Sequence, residues 1–255
     1  MLLNISFLNG FYAIPLQDKI LSDVIANEKK DRINHKFLQM MGQQMEREKR
    51  RKVVFYGDSN TYGYDPADVY NMRFPENKRW TTIIAGRFIS DMEVIPQGMN
   101  GRKIPDLRYD KPYLKRMIDT INDNGIFCTM LGTNDLLEAA EHGAERAIRK
   151  MEAFLEYLLT CLNARQILII APPYIGSARI PDPLYQKFYS ESVRMNNAFR
   201  RMAEERKMWF ADASAWDIEL SFDQVHFSER GHLIFAGKLA EMLELMIRSD
   251  YGGRG

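Results

Sequence analysis

Val53-Val54-Phe55-Tyr56 runs directly into Gly57-Asp58-Ser59-Asn60-Thr61. The first four residues predict a buried strand, and the residues that follow are small and turn-forming. A serine at the carboxyl end of a buried strand lies where an open α/β sheet exposes a nucleophile. The same residues are also an ordinary turn composition, in which a serine caps the next helix. The segment therefore makes Ser59 a candidate nucleophile and leaves the capping role open.

Beyond this segment, short apolar strands alternate with amphipathic helices, which is the pattern of a parallel sheet covered on both faces. The predicted strands are 52–56, 93–96, 125–131, 166–171 and 208–212. The predicted helices are 79–89, 112–123, 144–162, 184–206 and 229–248. Five such units predict one doubly wound α/β domain over residues 52–250. The loops after its strands converge at one edge of the sheet, and they carry Ser59, Gly101, Asn134 and Pro173.

Residues 1–51 differ in character from the rest of the chain. Ile33, Phe37 and Met45 are part of a series of apolar residues at three- to five-residue spacing, which predicts a mostly helical extension. This extension is interpreted either as a contact for a partner or as a helix packed on its own domain. Met45 resembles a natural start, so the sequence leaves open whether the natural chain starts at Met1 or at Met45. Residues 251–255 are predicted to be a disordered tail.

The composition limits the class of protein. The 255 residues are 45% hydrophobic and carry a net charge of +1, which is ordinary globular material and argues against a nucleic-acid partner. No apolar stretch is long enough to predict a membrane span, and the N-terminus makes a poor signal peptide. Cys128 and Cys161 lie in apolar runs typical of buried, reduced thiols. We therefore expect a cytoplasmic protein whose partners are small molecules.

A serine nucleophile needs a base, and the base needs a group that orients it. In Asp223-Gln224-Val225-His226-Phe227 a carboxylate precedes an imidazole by three residues. In a turn, Asp223 can accept from one ring nitrogen while His226 offers the other to Ser59. Alone, the pair also fits a helix cap or a fragment of a metal site, but no second ligand cluster supports a metal. His232 falls within the last predicted helix and is interpreted as structural.

Acyl transfer also needs donors that face the developing oxyanion. Asn134, in the segment Gly132-Thr133-Asn134-Asp135, carries a neutral amide that can donate without competing as a nucleophile. Gly101 lies in a glycine-rich loop after the second strand, where a backbone N–H can approach a substrate closely. Either segment alone could be a plain turn. Together with Ser59 and the Asp-His pair, they predict a single site for acyl transfer.

These four segments, Gly57-Asp58-Ser59, Gly101, Gly132-Thr133-Asn134-Asp135 and Asp223-Gln224-Val225-His226, resemble the ordered sequence blocks of the SGNH, or GDSL, hydrolase superfamily. The similarity spans Lys52 to about Arg248. It implies a flavodoxin-like three-layer α/β/α fold and a triad of Ser59, Asp223 and His226. It also implies an oxyanion hole made from the Ser59 and Gly101 N–H groups and the Asn134 side chain, with no metal or organic cofactor.

Further segments, among them Arg79-Trp80-Thr81 and Pro172-Pro173, are similar to the arylesterase and acyltransferase branch that acts on short-chain esters. Two residues depart from the pattern. Asn60 stands where the superfamily name has leucine, which we expect to matter little because that side chain need not touch the reacting centre. Lys103 stands where the branch often has threonine, which bears on substrate preference.

The substrate pocket is the least defined part of the prediction. Trp80, Tyr174 and Phe227 are interpreted as lining an apolar acyl or alcohol pocket, although aromatic residues near strand ends also form cores. Arg102 either binds a carbonyl or carboxylate of the substrate or makes a structural ion pair.

The sequence as a whole predicts a serine esterase that cleaves short-chain, acetyl-like esters through an acyl-enzyme, with transfer of the acyl group to alcohols as an extension. A carbohydrate O-acetyl esterase is the alternative within the same chemistry. A non-catalytic binding or assembly module with a vestigial site is the alternative from another class. Transfer to alcohols would require a restricted, apolar entrance, which contacts in a homo-oligomer could build.

Overall fold

The structure, a computed structural model, describes residues 38–42, 50–121, 123–139, 141–176 and 180–252. The chain divides into two units, Met1–Lys49 and Arg50–Gly255. In the first unit, residues 38–42 are helical. The rest of the extension that the sequence predicts to be helical lies outside the described residues.

Five parallel strands form one sheet in the second unit, which confirms the predicted α/β fold class. The strands are β1 (Arg51–Gly57), β2 (Met92–Gly98), β3 (Ile126–Met130), β4 (Ile167–Ala171) and β5 (Trp209–Asp212). Their order across the sheet is β2-β1-β3-β4-β5, and every neighbouring pair is parallel. The chain leaves β1 toward one edge for β2 and then crosses to the other side for β3. The carboxyl end of β1 is therefore the switch point at which such sheets bind ligands.

The helices of the second unit are α1 (Ser59–Tyr62), α2 (Trp80–Arg87), α3 (Leu107–Ile118), α4 (Thr133–Glu138), α5 (Gly143–Leu159), α6 (Pro183–Arg206) and α7 (Glu229–Gly252). Short 3₁₀ turns span Glu76–Lys78, Ala164–Gln166 and Ala213–Ala215. Helix α3 begins five residues before the predicted start at Pro112, because Asp106 caps it by accepting from the Arg108 N–H. Helices α1 and α4 are short and fall outside the predicted helices.

Two apolar cores cover the two faces of the sheet, which gives the three layers. Alternate residues of β1 show the division, since Val54 and Tyr56 join one core while Val53 and Phe55 join the other. The first core packs the sheet against α3, α5 and α6, and the second packs it against α2 and α7. Cys128 is buried in the second core, where burial raises the pKa of its thiol, and both cysteines are free.

The last helix differs from the prediction at its end. It continues to Gly252, two residues into the segment predicted as a disordered tail, and residues 253–255 lie outside the described part. Across the described ranges, no helix is both long enough and apolar enough to cross a membrane.

Candidate active site

Ser59 is the first residue of α1, immediately past the carboxyl end of β1. The preceding Asp58 caps this helix, because its carboxylate accepts from the Asn60 N–H at 3.0 Å. The helix lies tightly against the strand ends. A Cβ added at Gly57 would stand 2.0 Å from Thr61 Oγ1, and one at Gly98 would stand 2.1 Å from the Tyr62 nitrogen. Glycine at both positions therefore lets the serine helix dock on the sheet.

His226 connects Ser59 to Asp223 by side-chain contacts alone. Its Nε2 lies 2.9 Å from Ser59 Oγ, and its Nδ1 lies 2.6 Å from Asp223 Oδ2. Both distances are within hydrogen-bond range, and the two ring nitrogens face opposite partners. The structure therefore brings together the three residues that the sequence selected. The serine and the histidine are 167 residues apart in the chain.

The Asp223 carboxylate has a second task besides its contact with the imidazole. Its Oδ1 accepts from the backbone N–H groups of Val225 and His226, each at 3.0 Å. Burial raises the pKa of this carboxyl. The hydrogen bonds from the His226 ring and from the two backbone N–H groups lower it by more, so its pKa lies below the ordinary value. The group is thus kept ionised beside the imidazole.

Asn60 makes contacts at this edge that the sequence reasoning did not anticipate. Its side-chain Oδ1 accepts from the Phe227 N–H at 2.8 Å, and its Nδ2 donates to the Val225 carbonyl at 3.1 Å. The two bonds therefore grip the backbone on either side of His226. The sequence reasoning considered only contact with the reacting centre, so it did not anticipate these bonds to the loop that carries His226. The available signal was the side-chain amide of Asn60, at the position where the superfamily name has leucine.

Asn134 and Gly101 lie on the two loops that were predicted to supply oxyanion donors. The Asn134 side chain is half-buried in the first turn of α4, and its Nδ2 donates to the Arg102 carbonyl at 3.0 Å. That bond orients the amide and leaves its second N–H for another acceptor. Gly101 is exposed in the adjacent turn with φ +71°, a backbone conformation that favours glycine.

Asp135 connects these two loops by a hydrogen bond. Its buried carboxylate accepts from the Ile104 N–H at 2.9 Å and pairs with Lys150 Nζ at 2.9 Å. The first bond joins the start of α4 to the loop that carries Gly101. The spacing between the two predicted donor loops therefore rests on a charge-assisted hydrogen bond.

The structure gives Arg102 a structural role, but its partners among the described residues are backbone carbonyls rather than a carboxylate. Its guanidinium is buried and donates to the carbonyl of Gly57 at 2.9 Å and to the carbonyl of Gln97. It also stacks over the Tyr56 ring, 4.2 Å from the ring centroid. Nη1 of the guanidinium makes both bonds and so joins the carboxyl ends of β1 and β2, which gives Arg102 a role in building this edge.

Two of the predicted pocket residues are also corrected. Trp80 and Phe227 are 1% and 0% exposed, and both belong to the second core. Trp80 reaches the site only through its indole N–H, which donates to the Asn60 carbonyl at 2.8 Å. Both residues are thus core residues, because the α2 and α7 side of the sheet encloses them. Tyr174 is half-buried, and its ring packs edge-on against Tyr189.

Tyr64 lies beside the base, where the sequence reasoning placed no residue. Its ring centroid is 4.6 Å from that of His226, at an interplanar angle of 51°. The Tyr64 N–H donates to the Ser59 carbonyl at 2.9 Å, which fixes the residue just after α1. Its ring therefore covers one face of the imidazole.

Asp58 is buried beneath the serine. Burial, opposed by the Asn60 N–H and by the charges of His226 and Arg102, raises the pKa of its carboxyl to about 6. Its geometry is that of a helix cap, since it lies between Gly57 and the serine helix and bonds backbone N–H.

The parallel sheet and the serine, histidine and aspartate aligned at its carboxyl edge place the chain in the class of SGNH-type esterases and acylhydrolases. The chain belongs to the GDSL-like Lipase/Acylhydrolase family, whose sequence profile matches residues 55–234. The resemblance recognised in the four sequence blocks is thereby confirmed. No curated protein sequence matches the chain.

Solved structures share the fold. Est24, a carbohydrate acetylesterase from Sinorhizobium meliloti, is 22% identical with a TM-score of 0.63, over 77% of this chain and 100% of its own. The M. smegmatis aryl esterase is 23% identical with a TM-score of 0.63, over 77% and 99%. Axe2, an acetylxylan esterase from Geobacillus stearothermophilus, is 18% identical with a TM-score of 0.55, over 75% and 93%. At these identities the likeness establishes the fold.

Proposed function

We propose that this chain is a serine esterase that cleaves short-chain, acetyl-like carboxylic esters through an acyl-enzyme on Ser59. The observation that carries the proposal is the line of contacts from Asp223 through His226 to Ser59, at 2.6 and 2.9 Å. Such a line gives a weakly nucleophilic hydroxyl a base, and gives the base a partner that fixes its tautomer.

In the first half of the reaction, His226 Nε2 takes the proton of Ser59 Oγ as that oxygen attacks the ester carbonyl carbon. The carbonyl π bond opens to a tetrahedral oxyanion. When the oxyanion collapses, the bond to the alcohol oxygen breaks, and His226 returns the proton to the leaving alkoxide. Water then repeats the sequence on the acyl-enzyme and releases the acid, whereas a second alcohol in its place would give a new ester. Asp223 stabilises the imidazolium in both halves.

The oxyanion is held by the N–H groups of Ser59 and Gly101 and by the side-chain amide of Asn134. The Asn134 bond to the Arg102 carbonyl supports this role, because it fixes the amide while one N–H stays available. The half-buried position of Asn134 and the exposed Gly101 turn place these donors at the surface of the carboxyl edge. Preorganised donors of this kind stabilise charge without reorienting during the reaction.

A carbohydrate O-acetyl ester is the second candidate substrate. It is favoured by two of the structural relatives, which are described as a carbohydrate acetylesterase and an acetylxylan esterase. The aryl esterase relative favours a simple activated ester instead. Both candidates share the acyl group and differ in the alcohol.

A substrate panel tests the proposal. Aryl acetate, butyrate and octanoate esters are compared with acetylated mono- and oligosaccharides, using the wild type, Ser59→Ala and Ser190→Ala. Ser190 is a matched control because its hydroxyl donates to the Gln186 carbonyl at 2.9 Å, within α6. We expect Ser59→Ala to abolish turnover and Ser190→Ala to retain it. Wild-type turnover by Ser59→Ala would overturn the assignment.

A serine-directed fluorophosphonate separates the enzyme from a non-catalytic module. The wild type should label at Ser59, as located by peptide mass spectrometry, and His226→Gln should label far more slowly. A folded wild-type protein that does not label would support a binding module with a vestigial site.

A further inference from the structure

We propose that Asn60 is a positioning residue that holds the His226 imidazole in line with Ser59. The inference rests on the proposed function, because it assigns Asn60 a role in the step in which His226 takes the serine proton. It also gives a reason for an asparagine, rather than an apolar residue, next to the nucleophile.

The geometry is that of a two-point clamp. Asn60 Oδ1 accepts from the Phe227 N–H at 2.8 Å, and Nδ2 donates to the Val225 carbonyl at 3.1 Å. These two backbone groups lie on either side of His226. A side-chain amide can complete both bonds because it carries a donor and an acceptor side by side, and leucine can complete neither.

The clamp is itself held in place. Asn60 is 2% exposed, its N–H bonds the Asp58 carboxylate, and its carbonyl accepts from the Trp80 indole at 2.8 Å. The indole belongs to the second core, so the clamp is anchored in packed structure. A buried amide with all of these bonds has little freedom to turn.

The hydrogen bonds inside the histidine loop have a different effect. Asp223 Oδ1 accepts from the Val225 and His226 N–H groups, and the Ser221 N–H donates to the His226 carbonyl at 2.7 Å. These bonds fix His226 within its own loop. The Asn60 bonds join that loop to α1, across 165 and 167 residues of sequence, and so act on the distance between base and nucleophile.

Loss of the clamp should therefore appear in the chemical step. Asn60→Leu keeps the side-chain size and removes both bonds, so we expect kcat for an aryl acetate to fall by about 10- to 100-fold while KM stays near the wild-type value. Asn60→Asp keeps the acceptor for Phe227 and loses the donor to Val225, so we expect a smaller fall. Asn60→Asp also serves if Asn60→Leu does not fold.

Gln166→Leu is the matched control. It removes a hydrogen bond that a side-chain amide makes to a backbone carbonyl, from Gln166 Nε2 to the Gly125 carbonyl, at the amino edge of the sheet. Thermal melting should show a loss of stability in both leucine variants. A loss of kcat should occur in the Asn60 variant alone, which separates positioning from general stability.

The second measurement does not depend on turnover. In the wild type, Ser59→Ala removes the partner of His226 Nε2 and should change the ¹⁵N chemical shift of that nitrogen. In the Asn60→Leu background the same change should have little effect, because the contact is already weakened. A wild type that hydrolyses none of the esters would refute the proposed function, and this comparison would still test the clamp.

Two results would overturn the inference. One is a folded Asn60→Leu protein with the kcat of the wild type. The other is an equal response of the His226 Nε2 shift to Ser59→Ala in both backgrounds.

Discussion

His226 and His232 are six residues apart, and their surroundings are opposite. Each ring nitrogen of His226 faces a side-chain oxygen, of Ser59 or of Asp223. His232 lies in the first turns of α7, fully buried, and within the part of the chain that the structure describes neither of its ring nitrogens has a hydrogen-bond partner. Its ring packs edge-on against Phe74 and Phe227 instead.

The difference shows how histidine has two different roles in one fold. At the edge of the sheet, loops from distant parts of the chain bring oxygens to both sides of an imidazole, and the ring can accept and return a proton. In the core, the imidazole must stay neutral, because burial and the nearby Arg79 lower its pKa to about 4. Substitutions at the two regions should therefore affect different quantities.

The largest expected effect is at His226. His226→Gln removes the base and leaves a polar side chain of similar size, so kcat for an aryl acetate should fall on the order of 10⁶-fold while the melting temperature stays unchanged. The paired control is His232→Leu, which should keep wild-type kcat at neutral pH. If the two variants lost activity equally, the division between the histidines would be refuted.

Asn134→Ala should have the next largest effect. Removing one oxyanion donor costs about 100-fold or more in kcat, with KM little changed, because the donor acts on charge that forms during the reaction. Asn163→Ala is a control at the amino edge of the sheet, where that side chain caps a 3₁₀ turn. An Asn134→Ala protein with raised KM and unaltered kcat would place Asn134 in ground-state binding.

Arg102→Lys should have a smaller effect on turnover, of about tenfold in kcat, together with a loss of stability of about 1–3 kcal/mol. A lysine keeps the charge but lacks the planar guanidinium that stacks over the Tyr56 ring, so the loop that carries Gly101 should loosen. Arg149→Lys, which keeps an exposed ion pair with Glu145, controls for the exchange itself. A rise in KM alone would instead support the substrate-binding role of Arg102.

The sequence predicted the features that depend on position along the chain. The alternation of strands and helices defined the sheet. Residues at the carboxyl ends of parallel strands lie at the same edge, so the sequence could predict that Ser59, Asp223 and His226 come together. Strands buried on both faces of a parallel sheet read as short continuous apolar runs, which is why they were placed within a residue or two of their bounds.

The features that were missed depend on the reach of side chains across the fold. Asn60 was judged by its distance from the reacting atoms, but it acts on a backbone 165 residues away. Trp80 and Phe227 were placed in a pocket because they lie near strand ends, whereas the packing of α2 and α7 encloses them. Arg102 was assigned a substrate carbonyl or carboxylate, or an ion pair, while its partners in the described structure are backbone carbonyls, which carry no mark in the sequence.

His232→Leu should change stability rather than turnover, and this is the smallest expected effect on activity. Between pH 6.5 and about 4, the unfolded chain binds a proton at His232 and the folded chain does not, so the free energy of unfolding falls as the pH falls. Leucine has a similar volume, suits the aromatic surroundings and does not titrate. The free energy of unfolding is measured by urea denaturation for the variant and the wild type. The difference between the two should shift in favour of the variant by on the order of 3 kcal/mol from pH 7 to pH 4. A constant difference over that range would mean that His232 takes up its proton in the folded state as readily as in the unfolded chain, and the contrast with His226 would then lie in geometry alone.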